Sequence, residues 1–108
     1  MNLDFTFSAD RTDDTIVVTL TGQFDMAATF TLEPELERLT RDTATSALVV
    51  DMHDVEFMDS SALGLLLATQ QRLQTENVRF EIANSSTPVR RLLELTGAGD
   101  TRSIDAGG

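Results

Sequence analysis

The residues of this chain best placed for chemistry are Asp59-Ser60-Ser61, an acid and two hydroxyls between Val55-Glu56-Phe57-Met58 and the apolar run Ala62-Leu63-Gly64-Leu65-Leu66-Leu67. A turn becomes a helix there. The first N–H groups of a helix have no internal partner and the helix dipole is positive at that end, so Asp and Ser oxygens act as caps. The same place suits a phosphate: the roughly −1.5 to −2 charges added to Ser60 or Ser61 would meet aligned N–H groups rather than carbonyls. Two readings therefore share the site, a helix cap and a phosphate switch, and one residue can serve both. In the switch reading Asp59 repels the phosphate, so modification changes surface charge more than it adds stability.

Other chemistry is thinly supplied. There is one histidine, His53, and no cysteine, which removes disulfides, thiolate metal sites and a cysteine nucleophile. A hydrolase needs a nucleophile, a base and a group to orient the base, and the serines here lie outside a G-x-S-x-G elbow. His53 reads as a solvated loop residue, and the chain as a binding protein rather than an enzyme. Glu33, Glu35 and Glu37 alternate around a helix turn instead of sharing a face, so they read as solvated surface and not as a metal site. Gly97-Ala98-Gly99 lacks the strand before and helix after of a dinucleotide fingerprint, and no phosphate-binding P-loop occurs. No cofactor is expected.

Composition narrows the partners. The 108 residues carry a formal charge of −10, and all eight basic residues are arginine. Such a surface repels nucleic acid and anionic membranes and attracts a basic protein surface; acidity of this kind also serves solubility. The length fits one domain, residues 1–108, burying about two-thirds of the surface its unfolded chain exposes. The longest apolar run is too short to span a bilayer and Met1-Asn2-Leu3-Asp4 has no basic start of a signal peptide. A cytoplasmic protein without membrane insertion is expected.

The elements that must hold the motif follow from periodicity. Leu3, Phe5 and Phe7 alternate with polar residues, Thr12-Asp13-Asp14 breaks the run, and Thr15 to Thr21 resumes it, which predicts a hairpin ended by Gly22-Gln23-Phe24-Asp25. Ala27 to Arg41 is helical in composition, with Phe30, Leu32, Leu36 and Leu39 at compatible spacings. Pro34 leaves two starts open: near Thr31, with Pro34 in the first turn, or near Met26, with Pro34 in the interior. Ala47 to Met52 predicts a central strand, Ser60 to Thr75 a helix broken by Asn77, and Val78 to Ile82 another strand. Thr87-Pro88 opens a last helix, Val89 to Thr96, closed by Gly97, and a short edge segment from Ala98 through Ile104 precedes a fraying tail. Strand and helix in alternation after a hairpin predict an α/β mixed sheet with helices on mainly one face.

Projected at 100° per residue, Leu63, Leu66, Leu67, Gln70 and Leu73 share the core side of the central helix. Ser61, Gly64, Leu65, Ala68 and Arg72 fall opposite. Most of that stripe is small or apolar, which suits either a docking face or a side packed under an element not yet placed.

Gly22-Gln23-Phe24-Asp25, Leu48-Val49-Val50-Asp51-Met52, Val55 to Gly64 and Val89-Arg90-Arg91-Leu92-Leu93-Glu94-Leu95-Thr96-Gly97 together resemble the STAS domain, specifically the bacterial anti-sigma factor antagonist group. The resemblance runs from about Phe5 to Ile104, and D-S-[ST]-x-L-G is its most specific segment. It implies a sheet of four to five strands with three to four helices, and a core from about residue 5 to 104. It also implies a switch in partner choice. The unphosphorylated antagonist binds an anti-sigma factor that is also a serine kinase, freeing a sigma factor; phosphorylation releases it and a PP2C-type phosphatase reverses the mark. Carried over, the phosphoacceptor is Ser60, with Asp59 and Asp25 on the partner-facing edge and Ser61 as the neighbouring hydroxyl; the projected stripe adds Gly64, Leu65 and Ala68 as the expected docking face. Ala62 stands where many members have glycine, and its methyl is expected to bear on how closely a kinase approaches. A STAS subunit of another machine, such as a lipid-transport or signalling complex, is the alternative that the same resemblance implies.

Overall fold

The computed structural model describes residues 5–95. Alternating side chains build a hairpin of β1 (Phe5–Thr12) and β2 (Thr15–Phe24), antiparallel from Phe5↔Gly22 to Thr12↔Thr15. In its turn Asp13 takes the left-handed backbone, φ 56°, which a short polar side chain tolerates better than most. Next in order come α1 (Met26–Thr40), β3 (Ala47–Met58), α2 (Ser60–Thr75), β4 (Arg79–Ala83) and α3 (Thr87–Leu95). The sheet order is β1-β2-β3-β4, with β2–β3 and β3–β4 parallel. This is the mixed sheet that the alternation of elements predicts.

One row of each strand points to the helices. Ile16, Val18, Leu20 and Phe24 of β2, Leu48, Val50 and Met52 of β3, and Phe80 and Ile82 of β4 are buried in one cluster with Leu32 and Leu36 of α1, Leu66 and Leu73 of α2, and Val89 of α3. Each large apolar side chain buried in this way contributes about 1.5–3 kcal/mol. The parallel crossovers have a geometric consequence: α1 follows β2 and α2 follows β3, so both helices start at the same end of the sheet.

Two strands run longer than the sequence expectation. β3 runs to Met58, well beyond Met52, so His53 lies in a strand and not in a loop, although its side chain is exposed. The reason is two register shifts: Asp51 pairs with Thr19 but Asp54 with Thr21, and Val55 with Gly22 but Phe57 with Gln23. Each shift inserts an extra β3 residue, which breaks the alternation by which a strand is recognised. β2 likewise continues to Phe24, which pairs with Met58. Of the two starts open to α1, the structure takes Met26, with Pro34 exposed inside the helix.

The end of α2 is sharp. Asn77 at φ 61° lets the Val78 amide donate to the Leu73 carbonyl at 2.9 Å and the Asn77 amide to the Gln74 carbonyl at 3.3 Å, a Schellman closure. β4 consequently begins at Arg79, after the buried Val78. The expected closure at Gly97 and the edge segment through Ile104 lie outside the described residues.

Candidate functional site

The site grows from two strand ends held side by side. Phe24 and Met58 are register partners, so the next residues, Asp25 and Asp59, leave the sheet together. Each has extended backbone and caps the helix that begins after it. Asp25 Oδ1 accepts the Ala28 amide at 3.0 Å, and Asp59 Oδ1 accepts the Ala62 amide at 3.0 Å. Such a cap contributes about 1 kcal/mol.

Asp59 does more. Its Oδ2 accepts the Met26 amide at 3.1 Å, and its own amide donates to the Phe24 carbonyl at 3.3 Å. One carboxylate therefore closes the first turns of both α1 and α2. The positive ends of two helix dipoles meet there. Ser60, first residue of α2, is exposed, and Ser61 is half-buried. Among the described residues the Ser60 and Ser61 amides have no hydrogen-bond acceptor, so the donors that would greet an anion remain open.

The structure brings Asp25, Asp59, Ser60 and Ser61 to one end and sorts the stripe on α2. Gly64 and Ala68 are exposed, and a methyl placed on Gly64 would meet nothing within 4 Å. Leu65 is a correction: it is buried in the core cluster, not exposed beside them. The cause is α1, which lies along that side. Thr69 is buried there, and Arg72 donates from Nη2 to Thr40 Oγ1 at 3.2 Å. The buried arc of α2 is thus turned roughly 70° from the projected one, toward Ala62, Leu65 and Thr69, and Gln70 is only half-buried. Ala62 is itself fully buried. Its methyl packs inward, so it does not stand between α2 and an approaching partner.

Sequence reasoning missed the apolar surface beside the caps. Met26 is 54 % exposed, Phe30 71 % and Phe57 47 %. Round the helix axis Phe30 stands about 160° from Leu32 and about 120° from Leu36, so it shares no face with them. With α1 starting at Met26, the buried arc is Ala28, Leu32, Leu36 and Thr40, and Phe30 falls opposite. The projection of α1 at 100° per residue is the signal that could have found it.

Catalytic geometry is sparse among the described residues. His53 Nε2 lies 3.9 Å from Asp54 Oδ1, both side chains exposed on β3, and no group of three or more His, Asp or Glu is placed to hold a metal. An open cleft of about 460 Å³ sits at the other end of the helices, lined by Thr40, Arg41, Arg72 and Glu76, away from both caps. No described helix is long and apolar enough to cross a membrane.

Comparison with known proteins gives this geometry a setting. Residues 6–105 match the family described as the STAS domain. An anti-sigma-B factor antagonist of Staphylococcus aureus is 32 % identical over 77 residues, covering 68 % of this chain and 71 % of that protein. The structure of an anti-sigma factor antagonist from Mycobacterium paratuberculosis superimposes with a TM-score of 0.79 at 32 % identity, covering 91 % of this chain and 82 % of that one. SpoIIAA, an anti-sigma factor antagonist, matches in its unphosphorylated form (TM-score 0.77, 26 % identity, 87 % and 83 % covered). The Bacillus SpoIIAA in its phosphorylated form matches as well (0.72, 25 %, 87 % and 86 %).

Proposed function

The chain belongs to the STAS-domain family, and from that premise we propose that it is an anti-sigma factor antagonist switched by phosphorylation of Ser60. The observation that carries this reading is the exposed hydroxyl of Ser60 at the first position of α2, beside a carboxylate that caps two helices at once. The names of its relatives, and the existence of a phosphorylated form of SpoIIAA, support it.

In this function the unphosphorylated chain docks on an anti-sigma factor that is also a serine kinase, and a sigma factor is freed. The docking edge comprises Asp25, Asp59 and Ser61 with the exposed Gly64 and Ala68; Leu65 supports it from beneath. ATP is bound by the kinase, which transfers the terminal phosphoryl group to Ser60 Oγ as the hydroxyl proton leaves. The new charge of about −2 stands next to Asp59, so a surface that matched the partner now carries a concentrated negative field. Helix amides facing the phosphate keep the fold intact while binding is lost. A PP2C-type phosphatase restores the hydroxyl. The chain works by docking, in the cytoplasm, and needs no cofactor of its own.

The deciding experiment incubates the purified chain with the serine kinase of its own genome and ATP, and maps the phosphate by mass spectrometry. Label on Ser60 is expected, and Ser60→Ala should abolish it. Stoichiometric label elsewhere, with Ser60 unmodified, would sink the proposal.

A further inference from the structure

The outer face of α1 holds an apolar pair that the fold does not use. Met26 and Phe30 are 54 % and 71 % exposed, although neighbouring side chains of the same helix are buried. At 100° per residue Phe30 stands about 40° round the axis from Met26, and Glu33 and Glu37 about 20° to either side of it, so the four form one row. Both glutamates are exposed; four residues apart, they share a face from which Glu35 points away. Thr40, to which Arg72 of α2 donates a hydrogen bond, lies about 40° from Met26 on the other side. The row therefore flanks the seam between α1 and α2. It begins at the Met26 amide, which Asp59 Oδ2 holds at 3.1 Å.

We infer that Met26 and Phe30 are the apolar anchor by which the chain grips its protein partner, and that the partner offers an apolar pocket rimmed by arginine or lysine. Asp25, Asp59, Glu33 and Glu37 frame the pair with carboxylates. The nearest arginine on this row, Arg41, is about 22 Å along the helix from Met26. A large exposed aromatic side chain within a charged rim is the composition of a binding hot spot. The charge also decides between occupants. A second copy would bring the same acid-framed patch, and another charge of −10, against itself, and a two-fold contact of that kind is opposed by like charges. A basic-rimmed surface is drawn to it.

The inference rests on the antagonist reading above, and the test separates the two. The full chain is titrated calorimetrically with the recombinant anti-sigma factor of its own genome, at low and at physiological salt. Phe30→Ala should weaken binding at least ~10-fold while leaving the thermal melt unchanged, since the side chain is exposed. Glu33→Gln combined with Glu37→Gln should weaken it roughly threefold and flatten its salt dependence. If Phe30→Ala binds within about twofold of the wild type while Ser60→Asp releases the partner, the anchor is wrong and the switch stands. If Phe30→Ala loses binding and Ser60→Asp does not, the anchor stands and the switch falls. No binding by the wild type overturns both. Sedimentation of the wild type alone completes the test: a dimer that Phe30→Ala dissolves makes a second copy the occupant and overturns the inference.

Discussion

Two strand-to-helix junctions in this protein are nearly the same object. Phe24-Asp25-Met26 and Met58-Asp59-Ser60 each end a parallel strand, each places Asp in extended backbone (φ −111° and −105°), and each caps the third helical amide at 3.0 Å. They differ in the residue after the aspartate and in where its second oxygen goes. After Asp25 comes an exposed methionine; after Asp59 comes an exposed serine. Asp59 Oδ2 reaches across to the other junction, whereas Asp25 is held within its own helix. A helix cap therefore does not by itself mark a switch. The two junctions are separated by an exposed hydroxyl beside the carboxylate that ties both helices together.

That contrast can be broken at several points. The largest effect is expected from Ser60→Asp, which should reduce affinity for the anti-sigma factor about 100-fold, near 2.7 kcal/mol, while Ser60→Ala binds as the wild type. Equal affinities would remove the functional distinction between the junctions. Next, Asp59→Ala should cost about 2 kcal/mol in urea denaturation, because it strips one amide from each of two helices. Asp25→Ala should cost about 1 kcal/mol, with only one amide lost. Matching losses for the two would show that the Asp59–Met26 bond contributes nothing. The smallest effect has the opposite sign. Gly64→Ala should stabilise the chain by about 0.5–1 kcal/mol in a thermal melt, since the added methyl meets open space and helical glycine is entropically unfavourable. A destabilised Gly64→Ala would mean that the outer face of α2 is packed after all.

Much of the fold is legible locally. The hairpin, the helix from Ser60 to Thr75 and its stop near Asn77 follow from alternation, a cap and a breaker, all of which act over a few residues. The Asp59-Ser60 helix start is of the same kind. Harder to read are the features that depend on a neighbour. His53 and Asp54 interrupt the apolar pattern of β3, and only the bulged pairing with Thr19, Thr21 and Gly22 keeps them in a strand.

The sequence by itself determined the start of α2 at Asp59-Ser60 and which hydroxyl stands beside an acid, because capping and periodicity are short-range physics. Tertiary structure decided the rest. Burial of Leu65 required α1 to lie along α2, and the second role of Asp59 required β2 and β3 to end side by side. These are contacts between residues about thirty positions apart, set by parallel pairing and helix packing, and no pattern within one segment encodes them.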